Sequence, residues 1–165
     1  MDFTLQPADL ICVRGHDLIS KAIEHLEHGE FSHTAMYLGD GNRIVEAIKY
    51  GVEVNDLSKY TDYAVFRHPN LAAADAKKIM EYALSRVGDH YNFEHIFTLL
   101  LELTTKLNLY LAKNNATVCS ELDDLAYFMD GIDLDKAKSV GDVDPEDITK
   151  STELVKVFDT RSAKV

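Results

Sequence analysis

The sequence predicts an α+β domain in which helices pack on one side of an antiparallel sheet. Three observations lead there. Short β-prone runs dominate the first part of the chain, and helical periodicity dominates the second. Between two of the β-prone runs, Asp40-Gly41 marks a hairpin turn. At 165 residues, with 46% hydrophobic and 27% charged side chains, the chain has the size and composition of a single soluble domain, 1–165, with a sizeable core.

The elements follow in order. "DLICVR" (9–14) is a short, largely apolar run that reads as a buried strand. In "DLISKAIEHLE" (17–27), Leu18, Ile19, Ala22, Ile23 and Leu26 share one helical stripe, and Gly29 stops it. "FSHTAMYLGDGNRIVEAI" (31–48) is the hairpin, and "GVEV" (51–54) and "YAVFRH" (63–68) are further strands. "LAAADAKKIMEYALSRVG" (71–88) is an amphipathic helix with Ala76, Ile79, Met80, Ala83 and Val87 on its stripe. Asn70 is its candidate N-cap, and Gly88 follows its end. Residues 93–112 read as one long helix or two shorter ones. A further helix opens at Cys119 and runs to about Asp130, with Gly131 after it. "DPEDI" (144–148) reads as a single helical turn and "LVKVF" (154–158) as the last strand.

A net charge of −11 argues against binding a nucleic-acid backbone. Residues 121–147 carry ten acidic and two basic side chains, which read as a solvated face or, as the minority reading, a cation-binding loop. The N-terminus lacks the basic start and long apolar run of a secretory signal, so the expectation is a cytoplasmic or signal-less protein. The greasiest segment (96–112) is interrupted by Glu102 and Lys106 and is too short and too charged to span a membrane. Two cysteines make no disulfide framework, and neither has a second Cys or His at zinc-ligand spacing.

Cys119 lies three residues before Leu122, which with Leu125, Ala126 and Met129 forms the apolar stripe of its helix. Glu121, Asp123 and Asp124 fall largely elsewhere on the wheel. At a helix N-terminus, unpaired N–H groups and the helix dipole favour a thiolate, and the same N–H groups can hold a developing oxyanion. By position alone the cysteine reads more readily as a packed core residue than as a nucleophile.

The hairpin supplies a candidate base. A two-residue loop at Asp40-Gly41, or a four-residue loop from Gly39 to Asn42, pairs Leu38 with Arg43. Ala35 then faces Glu46 and His33 faces Ile48, so His33 and Glu46 are diagonal neighbours on one face. A three-residue loop would separate them, because the side-chain period is two. A carboxylate is what a catalytic imidazole needs to fix its tautomer and stabilise its cation, although by itself such a diagonal is more often a plain surface pair.

In chain order, "PADLICVRG", "FSHTAMYLGDG", "IVEA" and "GVEV", then "GDHYNF", "VCSEL" and "VDPEDITKS", resemble the circularly permuted branch of the NlpC-type papain-like cysteine hydrolases, the YiiX-like group. The resemblance spans nearly the whole chain. It implies an antiparallel sheet or small barrel packed against helices, with the nucleophile at a helix N-terminus. It implies Cys119 as nucleophile, its backbone N–H as an oxyanion donor, His33 as general base and acid, and Glu46 as the orienting residue. It implies cleavage of an amide or peptide bond, for instance in cell-wall peptides, with no metal or organic cofactor. Two alternatives stand beside that activity: a lipid acyl hydrolase or acyltransferase, whose acyl pocket residues 96–111 would border, and a catalytically silent binding module. Two departures from the group's pattern are visible. Its early Gly-Asp is here Ala8-Asp9, and the often apolar position after "SEL" is Asp123, which the wheel turns to solvent.

Further positions carry readings of their own. Arg14 binds a substrate carboxylate or pairs with an acid. Tyr91 walls the cleft or fills the core. Cys12, in an apolar strand without an activating charge, reads as packing. His16, His25 and His28 with Glu24 read as polar side chains near a helix end, where histidines suit the dipole, with a metal cluster as the lesser reading.

Overall fold

The computed structural model describes residues 3–15, 29–48, 51–89 and 119–162. The expected helix at 17–27, His16, Glu24, His25 and His28, Tyr91 and the segment 93–112 lie outside these residues.

Six strands form one sheet: β1 (Leu10–Val13), β2 (His33–Tyr37), β3 (Arg43–Ile48), β4 (Gly51–Asp56), β5 (Tyr63–Arg67) and β6 (Val155–Asp159). Their order is β4-β3-β2-β1-β5-β6, and every neighbouring pair is antiparallel. Three helices accompany it among the described residues: α1 (Ala73–Ser85), α2 over 119–129 and α3 (Pro145–Lys150). None of them is long and apolar enough to cross a membrane.

Period-two alternation divides the strand residues between two cores. On the helix-covered face, Leu10, Cys12, Met36, Val45 and Ala47 join Ile79 and Ala83 of α1 and Leu122, Ala126 and Tyr127 of α2. Ile79 is fully buried there, a burial that contributes about 2 kcal/mol. On the other face, Ile11, Val13, Ala35, Tyr37, Ile44 and Val65 are covered by Phe3, Leu5, Leu57, Tyr60 and Phe158. The helices are thus on one side, as expected, but the opposite face is not left to water. The N-terminal segment and the 3-10 turn after β4 (Leu57–Lys59) close it.

The β2–β3 hairpin has a four-residue loop. The Leu38 N–H donates to the Arg43 carbonyl at 3.0 Å, and Met36 pairs with Val45. Gly39 and Gly41 take φ of +74° and +57°, a region open to glycine at little cost. Gly39 also passes so close to Pro7 that a Cβ would lie 2.7 Å from its ring.

α1 begins two residues later than expected. Its N-cap is Ala72, in extended conformation and without a side-chain cap, so Asn70 does not cap it. Val87 lies beyond the last turn and is exposed, which removes it from the stripe. α3 is capped as its sequence demands. The Asp144 side chain accepts from the Asp147 N–H at 2.9 Å, the Asp147 side chain accepts in return from the Asp144 N–H, and Pro145 sits in the first turn.

Ala8 holds φ at +67°, where a Cβ costs about 1–2 kcal/mol. The turn it makes brings the Asp9 carboxylate into the core, where it accepts from the Gln6 N–H and takes two 2.7 Å bonds from Arg67.

Candidate active site

His33 opens β2, and Glu46 lies four residues into β3 on the same face, two rungs apart on the ladder. His33 Nε2 donates to Glu46 Oε2 at 2.6 Å. This is the diagonal that the hairpin register forecasts. The pair is not on the surface, because the Glu46 side chain is fully buried.

A buried carboxylate needs every lone pair occupied. Glu46 meets that need with four donors. Tyr60 O–H joins His33 on Oε2 at 2.6 Å, while Asn55 Nδ2 at 2.9 Å and the Lys59 ammonium bind Oε1. Asn55 stands diagonal to Glu46 on β4, since Glu46 pairs with Glu53. Asp56 caps the 3-10 turn by accepting from the Ser58 N–H, and that turn delivers Lys59 and Tyr60. None of these three residues stands out in the sequence. The signal for Asn55 was available, because the parity count that joins His33 to Glu46, carried across the β3–β4 hairpin, places Asn55 beside Glu46.

The charges follow from this enclosure. Burial alone would push the Glu46 carboxyl up, but the hydrogen bond and charge of His33, with Lys59 and Tyr60, bring it down to about 2. Burial likewise works against the His33 cation. The charge and hydrogen bond of the Cys119 sulfur and the partnership with Glu46 outweigh it and raise His33 to about 10. With Nε2 taken by Glu46, the ring's other nitrogen is the one left for the thiol. Burial and the adjacent Glu46 push the Tyr60 hydroxyl up, so it remains a donor.

Cys119 is the first described residue of α2 and is buried. Next to it, the buried Ser120 hydroxyl donates to the Val143 carbonyl, which ties α2 to the loop before α3. The buried face of α2 differs from the expected stripe. It runs through Cys119, Leu122, Asp123, Ala126 and Tyr127, while Met129 is 66% exposed. Asp123 and Asp124 are both buried, so neither belongs to a solvated acidic face. Asp124 accepts from the Gly141 N–H at 2.8 Å.

The other candidates are placed as follows. Cys12 is fully buried, and burial first, then the nearby Asp123 and Cys119, push its thiol well up, as suits a packing residue. Arg14 is buried, and its guanidinium is committed to Glu30, Asp62 and Asp159 and lies 4.4 Å over the Phe31 ring. This arrangement favours pairing with acids over binding a substrate carboxylate. Among the described residues no group of three or more His, Cys, Asp or Glu side chains converges as a metal site would.

Comparison with known proteins adds to this geometry. No curated protein matches the chain by sequence. Among solved structures, the chain is similar to YiiX from Escherichia coli O157:H7, described as a metalloprotein. The TM-score is 0.67 at 18% identity, over 93% of this chain and 97% of that one. At that identity the likeness speaks for the fold. Residues 4–156 match the family described as "permuted papain-like amidase enzyme, YaeF/YiiX, C92 family", and the chain belongs to that family.

Proposed function

We propose that this amidase-family protein cleaves an amide or peptide bond through Cys119, with His33 as acid and base and Glu46 as the residue that orients His33. The observation that carries the reading is the position of His33, bonded on one side to a fully buried, four-donor carboxylate and on the other to the Cys119 sulfur.

In the first half of the reaction the Cys119 thiolate attacks the substrate carbonyl, and the backbone N–H of Cys119 faces the developing oxyanion. The C–N bond breaks as protonated His33 gives its proton to the leaving amine, leaving a thioester on Cys119. In the second half, water attacks the thioester and His33 takes its proton. The C–S bond breaks, the acid product departs, and the Cys119 thiolate and protonated His33 are restored. Glu46 keeps its negative charge throughout, because its donor set holds it far below neutrality. The metalloprotein description belongs to YiiX.

The test has two parts. Short peptide amides and p-nitrophenyl acyl esters are offered to the wild type, with Cys119→Ala as the blank. Cleavage of amides that the blank abolishes supports the reading, and turnover of esters alone sinks it. Iodoacetamide at neutral pH should label Cys119 far faster than Cys12, and His33→Ala should slow that labelling at least about tenfold. Equal labelling of the two cysteines would remove Cys119 from the role.

A further inference from the structure

The two oxygens of Glu46 are not served alike. Oε1 takes Asn55 Nδ2 at 2.9 Å and the Lys59 ammonium, both from outside the reacting pair. Oε2 takes His33 Nε2 and the Tyr60 O–H, each at 2.6 Å. His33 and Tyr60 therefore share one acceptor atom, and their rings stand 5.7 Å apart at a 46° tilt. The Tyr60 hydroxyl is fixed in that place. Tyr60 ends the 3-10 turn, its N–H donates to the Leu57 carbonyl at 2.9 Å, and the Lys59 ammonium lies 4.9 Å over its ring, which packs against the second core.

Two donors on one oxygen oppose each other, because each draws electron density from the atom and weakens its hold on the other. We propose that Tyr60 is a positioning residue that limits how firmly Glu46 holds the His33 proton, and that it serves breakdown of the thioester rather than its formation. This rests on the reading of Cys119 and His33 as the reacting pair. The charged and titratable groups about the His33–Glu46 pair are Lys59 and Tyr60 from the turn and Cys119 and Asp123 from α2. Of the two donors on Oε2, only His33 gives up its proton in the reaction, since the Tyr60 hydroxyl stays protonated.

The two half-reactions ask opposite things of His33. Formation of the thioester needs the imidazolium, which gives its proton to the leaving amine. Breakdown needs the neutral ring, which takes the proton of the attacking water. Acylation removes the sulfur charge that helps to hold the imidazolium. From then on the bond to Glu46 Oε2 is the hold that His33 must loosen. With the Tyr60 O–H on that oxygen, the hold is divided and His33 releases its proton to solvent at lower pH. Without it, His33 is the one donor left on Oε2 among the described residues, and water meets a base that is already occupied.

The experiment follows the His33 ring by NMR in the full chain labelled with 13C-histidine, the resonance being assigned by its loss in His33→Ala. The background is Cys119→Ala, which lacks the sulfur charge as the acyl-enzyme does. Tyr60→Phe keeps the ring, removes the hydroxyl, and should raise the His33 midpoint by about 0.5–1 pH unit. With Cys119 restored, p-nitrophenyl acetate should give an undiminished burst of nitrophenol and then a steady phase about three- to tenfold slower below that midpoint. Leu57→Val is the control, on the same turn but without a bond to Glu46. It should lower the melting temperature and leave both readouts where they were. A midpoint that stays or falls in Tyr60→Phe, or one that rises equally in Leu57→Val, would overturn the proposal while leaving the role of Cys119 intact. A burst that Cys119→Ala retains would sink the underlying reading, and the proposal with it. Loss of the cooperative melting transition in Tyr60→Phe would show that the hydroxyl holds the turn in place rather than tunes His33, and would also overturn the proposal.

Discussion

Replacing Glu46 with Gln removes a charge and leaves the shape. Three consequences can be worked from the structure. The carboxyl is depressed from 4.5 to about 2, a difference that corresponds to about 3 kcal/mol favouring the folded state. Because the folded value lies below the unfolded one, this stabilisation is whole above pH 4.5 and is lost as pH falls through about 2. An amide offers one acceptor where the carboxylate offers two, so its NH2 must face either the His33–Tyr60 pair of donors or the Asn55–Lys59 pair. Glu46→Gln is therefore expected to lose about 3 kcal/mol at pH 7, the lower end for a broken buried pair, because Lys59 is 38% exposed and can turn to water. The assay is urea unfolding followed by circular dichroism at pH 7 and pH 3. The difference between wild type and variant should shrink to about half at pH 3, where much of the wild-type advantage has been titrated away. A difference below about 0.5 kcal/mol at pH 7, or one that is equal at both pH values, would refute the account of Glu46 as a caged anion.

Three other outcomes are expected. Arg14→Lys keeps the charge but loses the fork that serves three carboxylates and the contact with Phe31. Unfolding should show a loss of about 2–3 kcal/mol with KM unchanged, and a raised KM at full stability would instead make Arg14 a substrate ligand. Ala8→Gly relieves the left-handed Cβ, but it frees the unfolded chain and gives up a buried methyl, so the urea midpoint should shift by the equivalent of less than about 0.5 kcal/mol. A loss of about 2 kcal/mol, as an unstrained buried alanine would give, would contradict it. Ala72→Ser places a hydroxyl at an uncapped, exposed helix start and should raise the melting temperature through a gain of about 1 kcal/mol. No change would mean that the new side chain does not reach the free N–H groups.

Much of the fold was legible because strand signals are local. The hairpin loop fixes register, register fixes faces, and that arithmetic alone set His33 beside Glu46. The donors around Glu46 were less legible. Lys59 and Tyr60 arrive on a turn whose direction depends on the Asp56 cap, and no periodicity marks it. The α2 wheel failed at Asp123 because hydrophobic patterning ranks carboxylates as outward. A buried acid is invisible to that rule, and the stripe was drawn through Met129, which is exposed. The α1 start failed for a simpler reason. Asn70 is the better capping residue, but the backbone turns into the helix at Ala72, where tertiary packing of Ala76 and Ile79 sets the entry.

The strand order also bears on how the chain acquires its reactivity. β1 to β4 are successive antiparallel neighbours, joined by contacts of modest sequence separation. Such contacts close first, while long-range pairings wait for loop entropy to be met. His33, Glu46, Asn55, Lys59 and Tyr60 all belong to this early part or to the turn that ends it. Cys119 joins later, when α2 docks through the bond from the Tyr127 hydroxyl to the Ala8 carbonyl at 2.7 Å. A nascent chain emerging from the ribosome would therefore assemble the His33–Glu46 pair before Cys119 reaches it. In this permuted order the proposed nucleophile lies on an element that joins the site after the residues proposed to serve it.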